Sequence, residues 1–174
     1  MYIQPKTKNK RKLVLFVLLI GFSSFVNGCW LYSFKGTSIP SSVHTVSIPL
    51  FDNKAQLVNP ALANLLTERL REKYRKMTRL EFVDEEGDFD FAGEITQYES
   101  STMGYTADEV GALNRLSVTV KIYFKSATKS FDQSFTKYRD YPSDQSLDAV
   151  ESRLVEEIVE EIIEDIFNAT AADW

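Results

Sequence analysis

The sequence predicts an α+β domain: two helices packed on one face of a mainly antiparallel or mixed sheet of about four strands, in the order β-α-β-β-β(-β)-α. Three observations predict it. Residues 59–77 and 146–167 each carry apolar side chains at helical spacing on one side only. Between them, several segments alternate apolar and polar residues with period two, the pattern of strands with one buried face. Elements that are greasy on one side must bury those sides together, and two helices on one sheet face does this economically. With 174 residues, 44% of them apolar, the chain can bury a core of its own.

The elements follow in order. Alternation begins near His44, with His44, Val46, Ile48 and Leu50 on one side and Val43, Thr45 and Ser47 on the other. Pro49 ends this strand or marks an edge. Asn59 is a suitable N-cap and Pro60 a suitable first helical residue. Leu62, Leu65, Leu66, Leu70, Tyr74 and Met77 then form the buried stripe of a helix whose basic end suits its dipole. A short strand is expected over Leu80–Val83. Phe89, Phe91, Gly93, Ile95 and Gln97 form one side of the next strand. Leu116, Val118, Val120, Ile122 and Phe124 form the buried side of the clearest strand in the chain, opposite Arg115, Ser117, Thr119, Lys121 and Lys125. Ser126-Ala127-Thr128-Lys129 is short enough for a hairpin turn, and Phe131, Gln133 and Phe135 carry the alternation on to about Tyr138. The last helix is capped by Ser146, with a wide stripe from Val150 to Phe167.

The N-terminus has a different character. Lys6, Lys8, Lys10, Arg11 and Lys12 precede an uncharged apolar stretch, Leu13–Val26, and small residues lead to Gly28. This is the three-part layout of a secretory signal. Its 14 apolar positions are too few for a spanning helix, which needs about 20. Beyond residue 28 there remain 15 basic and 25 acidic residues, a balance of −10. So acidic a body is a poor nucleic-acid binder, and no nucleic-acid partner is expected. One cysteine and one histidine exclude a disulfide framework, a cysteine-rich zinc site and most nucleophile–histidine pairs. With no plausible triad, metal cluster or phosphate loop, the chain reads as a non-enzyme.

The lone cysteine, Cys29, closes Val26-Asn27-Gly28-Cys29, which resembles the lipobox of bacterial lipoproteins. That resemblance implies cleavage before Cys29 and acylation of its thiol and new amino terminus. Residues 1–28 are then a signal peptide, 29–42 a lipidated N-terminus and tether, and 43–174 a single domain. The acyl chains on Cys29 are the only non-protein group expected.

From Tyr32-Ser33-Phe34-Lys35-Gly36-Thr37-Ser38-Ile39-Pro40 onward the chain resembles the LptE-type lipopolysaccharide-assembly lipoproteins of the Bacteroidetes kind. Val46-Ser47-Ile48-Pro49, Val58-Asn59-Pro60, Gly93-Glu94-Ile95-Thr96 with Tyr98, Asn114-Arg115-Leu116-Ser117-Val118-Thr119-Val120 and Glu164-Asp165-Ile166-Phe167-Asn168 recur in register with that pattern. The resemblance implies two helices against about four strands. It also implies an outer-membrane lipoprotein on the periplasmic side, largely within the lumen of an LptD-type β-barrel, that helps deliver lipopolysaccharide to the outer leaflet. The alternative is a periplasmic lipoprotein that scaffolds another envelope complex without lipopolysaccharide contact.

Candidate contacts with lipopolysaccharide or the barrel are Arg115, Lys121 and Lys125, evenly spaced on the polar side of one strand and suited to phosphate or carboxylate; a solvated sheet face is the alternative. Met103 and Tyr105 lie in the long connection Glu99–Ala112, a length often associated with function. The acidic stripe Glu156, Glu157, Glu160, Glu161, Glu164 and Asp165 reads as a solvated face or a surface for a cationic partner. His44 reads as a core or edge residue.

Overall fold

The computed structural model describes residues 39–57, 59–103 and 112–172. Strands β1 (Thr45–Ser47) and β2 (Asp52–Asn53) precede helix α1 (Leu62–Met77). Then come β3 (Glu81–Phe82), β4 (Phe89–Met103), β5 (Leu113–Lys125) and β6 (Ser130–Pro142). Helix α2 (Leu147–Phe167) follows and runs into a π-helical turn, Asn168–Ala172. The sheet order is β3-β1-β4-β5-β6, with β2 also pairing with β4. The α+β class is the predicted one. The sheet has six strands rather than about four, because a two-residue strand such as β2 is too short to show alternation.

The two halves of the sheet differ in direction. β1 runs parallel to β3 and β4, and β2 parallel to β4. Parallel neighbours need a crossover, and α1 supplies the one from the β1–β2 segment to β3. β4, β5 and β6 are antiparallel and joined by hairpins. The predicted β5–β6 turn forms: the Ser126 N–H donates to the Lys129 carbonyl at 2.8 Å, and the Lys129 N–H to Ser126 Oγ at 3.0 Å.

Local chemistry shifts several boundaries. α1 begins at Leu62, with Ala61 at the N-cap. Asn59 closes a turn just before the helix instead, accepting from the Ala61 N–H through its side chain at 3.0 Å and from the Leu62 N–H through its carbonyl at 3.2 Å. In β1, Val46 and Ile48 are buried as predicted, but His44 and Leu50 are exposed. Ser47, predicted to face outward, is fully buried, because the Gly87–Asp90 segment packs on it: its hydroxyl donates to Asp90 and accepts from the Gly87 N–H. Glu99–Met103, predicted as loop, extends β4 and pairs through to Leu113.

A bulge between Ile95 and Gln97 breaks the predicted alternation of β4. Phe89, Phe91 and Ile95 point inward, and beyond the bulge Tyr98 takes the buried position that Gln97 was expected to hold. On the inward side, Gly93 leaves room for the Phe51 ring, which packs against bare backbone. A Cβ at residue 93 would lie 2.9 Å from three ring carbons of Phe51, and Phe51 is only 2% exposed, so the ring has nowhere to move. Gly93→Ala should therefore lower stability by about 2 kcal/mol, read as a reduced urea midpoint; an unchanged midpoint would mean that the ring yields freely.

Both helices cover the same sheet face. Tyr74 of α1 meets Phe91 of β4 edge-on at 5.4 Å and Phe167 of α2 at 5.2 Å. The stripe of α2 is buried from Leu154 to Phe167, against Leu116, Val118, Val120, Ile122 and Phe124 of β5. The acidic side of α2 is less solvated than its sequence suggests. Glu157 and Glu161 both accept from Arg139, Asp165 pairs with Lys137, and Glu164 with Lys73. These cations offset carboxylates spaced four apart, which would otherwise repel one another along the helix. No helix among the described residues is long and apolar enough to cross a membrane.

Candidate functional site

With both helices on one side, the other face of β4–β5–β6 is left open. The register places its outward side chains in rows across the three strands. From the hairpin end these are Asp90–Lys125–Ser130, Ala92–Tyr123–Asp132, Glu94–Lys121–Ser134, Gln97–Thr119–Thr136, Glu99–Ser117–Tyr138, Ser101–Arg115–Asp140 and Met103–Leu113–Pro142. Arg115, Lys121, Lys125 and Met103 all lie on this face, as the alternation of β5 predicts for the three cations. Cys29 and Tyr105 lie outside the described residues.

The register also reveals partners that sequence spacing hides. Arg115 makes two parallel hydrogen bonds to Asp140, at 2.7 and 2.8 Å, while its guanidinium stacks 3.7 Å from the centre of the Tyr138 ring. Lys121 pairs with Asp132 at 2.9 Å and lies 4.8 Å from the centre of the Tyr123 ring. The Tyr123 hydroxyl donates to Glu94 at 3.0 Å, and Glu94 also pairs with Lys54. Between these clusters Thr119 bonds Gln97 and Thr136, and Gln97 donates to Glu99. Lys125 forms no ion pair among the described residues. Tyr123, Tyr138, Asp132 and Asp140 are the members of this face that sequence reasoning missed. Tyr123 was legible from its place between Lys121 and Lys125, whereas the two aspartates become partners only through the β5–β6 pairing.

The pairing sets the protonation of the face. Hydrogen bonds from Arg115 hold the Asp140 carboxyl below its ordinary range, Lys121 does the same for Asp132, and Lys54 and then Tyr123 for Glu94. On the helix side, Arg153 and Arg139 depress Glu157, and Arg139 depresses Glu161. A carboxylate whose folded pKa lies below its unfolded value contributes stability above that unfolded value. The contribution is lost as pH falls through the folded value. Stability should thus be steady from neutral pH down to about 4.5 and decline below it. Urea midpoints across that range check this, and Arg139→Gln should flatten the decline.

The acidic residues around β1 are structural. Asp88 accepts from the backbone N–H groups of His44 and Thr45 at 2.7 and 3.0 Å, tying the start of β1 to the start of β4. Among the described residues no group of three or more His, Cys, Asp or Glu side chains is placed to hold a metal ion.

Two depressions mark the hairpin end of the sheet. One, of about 450 Å³, lies on the open face and is lined by Asp90, Ala92, Tyr123, Lys125, Ser130 and Asp132 among others. The other, of about 370 Å³, lies where Ser42 and Val43 pass Glu86–Asp88 and the β5–β6 turn.

The family model LptE, described as lipopolysaccharide-assembly, matches residues 43–170, from just before β1 into the π-helical turn. No curated protein matches the chain. Among solved structures, a protein of Xanthomonas campestris is similar at 10% identity and a TM-score of 0.50, covering 74% of this chain and 84% of its own. The rare lipoprotein B of Shewanella oneidensis is similar at 19% identity and a TM-score of 0.45, over 72% of this chain and 89% of its own. A minor lipoprotein of Acinetobacter baumannii is similar at 12% identity and a TM-score of 0.43, over 67% and 89%.

Proposed function

The chain belongs to the LptE lipopolysaccharide-assembly family, and from that premise we propose that it is a lipid-anchored, non-enzymatic subunit of the outer-membrane lipopolysaccharide translocon. In this role it plugs and helps assemble an LptD-type β-barrel and assists lipopolysaccharide insertion into the outer leaflet. Residues 1–28 serve as the signal peptide, Cys29 carries the acyl chains, residues 29–42 form the tether and 43–174 the domain. The domain sits on the periplasmic side, largely within the barrel lumen.

The observation that carries this reading is the family match across the whole α+β domain. The architecture supports it. Both helices cover one sheet face, and the other face of β4–β5–β6 remains available to a partner. Arg115, Lys121, Lys125, Met103 and Tyr105 are the proposed contacts.

Affinity purification of the acylated protein from membranes tests the proposal. A large β-barrel should be recovered with it, and a clean deletion should leave that barrel misassembled and lipopolysaccharide trapped on the inner side. Normal surface lipopolysaccharide in the deletion, with a different envelope complex recovered, would replace this role by the scaffold alternative.

A further inference from the structure

We propose that the open face of β4–β5–β6 is a saccharide-binding surface, centred on the depression beside Tyr123, that takes the uncharged sugar portion of a glycan rather than its phosphates. The first argument is charge. The outward rows carry three cations, Arg115, Lys121 and Lys125, against five carboxylates, Asp90, Glu94, Glu99, Asp132 and Asp140. Arg115 and Lys121 are each bonded to one of those carboxylates. Such a face holds no excess positive charge for a polyanion. It does offer a dense array of donors and acceptors in fixed positions, which matches a polyhydroxylated ligand.

The second argument is shape. Sugar rings present flat patches of C–H that pack on aromatic faces, and Tyr is suited to this because its ring is apolar and its hydroxyl polar. Tyr123 is 39% exposed. Its hydroxyl is fixed by Glu94 at 3.0 Å. The depression draws on Tyr123's own row and the row towards the hairpin, not on the row of Lys121. Lys121 is not among the lining residues, and its ammonium is held by Asp132 on the rim. Ala92, the small residue directly opposite Tyr123 on β4, keeps the depression open, while Asp90, Asp132, Ser130 and Lys125 rim it with hydrogen-bonding groups. Its volume, about 450 Å³, falls in the range of small-ligand sites. About 20 Å further along the sheet, six residues away, Tyr138 is a second exposed ring, held by Arg115. A chain of several sugars lying along the strands would meet both rings.

The inference draws on the proposed function only for the source of the glycan. The probe is core oligosaccharide freed of its acyl chains and phosphates, titrated into the full-length acylated protein in detergent micelles by calorimetry, with inorganic phosphate as the comparison. The oligosaccharide should bind saturably and phosphate should not. Tyr123→Ala should weaken binding by about tenfold, the loss of one aromatic platform. Ala92→Leu fills the depression while keeping the ring and should do the same, so a folding defect in one variant does not decide the matter. Lys76→Gln, on α1 and away from this face, should change affinity by less than about twofold. No saturable oligosaccharide binding, affinity unaffected by Ala92→Leu, or competition by phosphate would each overturn the proposal. Barrel recovery in the membrane purification is independent of all three, so failure here is distinguishable from failure of the translocon role.

Discussion

Replacing Tyr74 with alanine should lower the unfolding free energy by about 4 kcal/mol, the range for removing a fully buried aromatic. Tyr74 is fully buried where three elements meet. Its ring sits edge-on to Phe91 of β4 and to Phe167 of α2, and its hydroxyl bonds Thr170 in the π-helical turn. The Thr170 hydroxyl in turn donates to the Ile166 carbonyl at 2.6 Å, so Tyr74, beside the Lys73–Glu164 pair, ties the end of α2 to α1. Burial pushes the Tyr74 hydroxyl pKa up, so it is protonated at neutral pH. Tyr74→Phe keeps the ring contacts and removes one hydrogen bond, so it should cost about 1 kcal/mol. Urea denaturation of the wild type and both variants separates the contributions. Equal losses for the two would mean that the hydroxyl, not the ring, holds the helices together.

Cys29→Ala should move the protein from the membrane to the soluble periplasmic fraction and abolish incorporation of labelled palmitate. The argument is one of anchoring energy. A buried methylene adds about 0.8 kcal/mol, and one acyl chain alone holds a protein only marginally, so stable attachment needs several chains on the modified residue. No helix among the described residues is long and apolar enough to span a bilayer in their place. Ser33→Ala is the matched control and should stay membrane-bound and labelled. Palmitate labelling that persists in Cys29→Ala would place the acyl group elsewhere and remove the proposed cleavage point with it.

The places where sequence reasoning succeeded and failed follow a pattern. β5 was legible in full, because five apolar residues at period two are long enough to specify a face, and all five are buried. The stripe of α2 was legible for the same reason. β4 was legible only to Ile95: an inserted residue inverts the alternation without leaving a local mark, so Tyr98 and Gln97 exchange faces. Ser47 is buried on the outward side because the Gly87–Asp90 segment, 40 or more residues later, packs on it and bonds its hydroxyl. Asn59 shows a nearer miss, its side chain capping a turn instead of the helix it seemed to open.

The candidate surface divides in the same way. That Arg115, Lys121 and Lys125 share one side of a strand follows from residue spacing within that strand. Their state does not: Asp140 and Asp132 come from β6, and only its register against β5 brings them beside the two cations. The acidic stripe of α2 behaves likewise, finding Arg139 and Lys137 on β6 and Lys73 on α1. By itself the sequence determined the class of the domain, its two helices, its main strands and which side of each is greasy, because these depend on periodicities carried within one segment. Tertiary structure alone decided which charges are neutralised, where the bulge turns a strand over and where the open face is concave. Those depend on how one segment pairs with another, and pairing leaves no periodic trace in either segment.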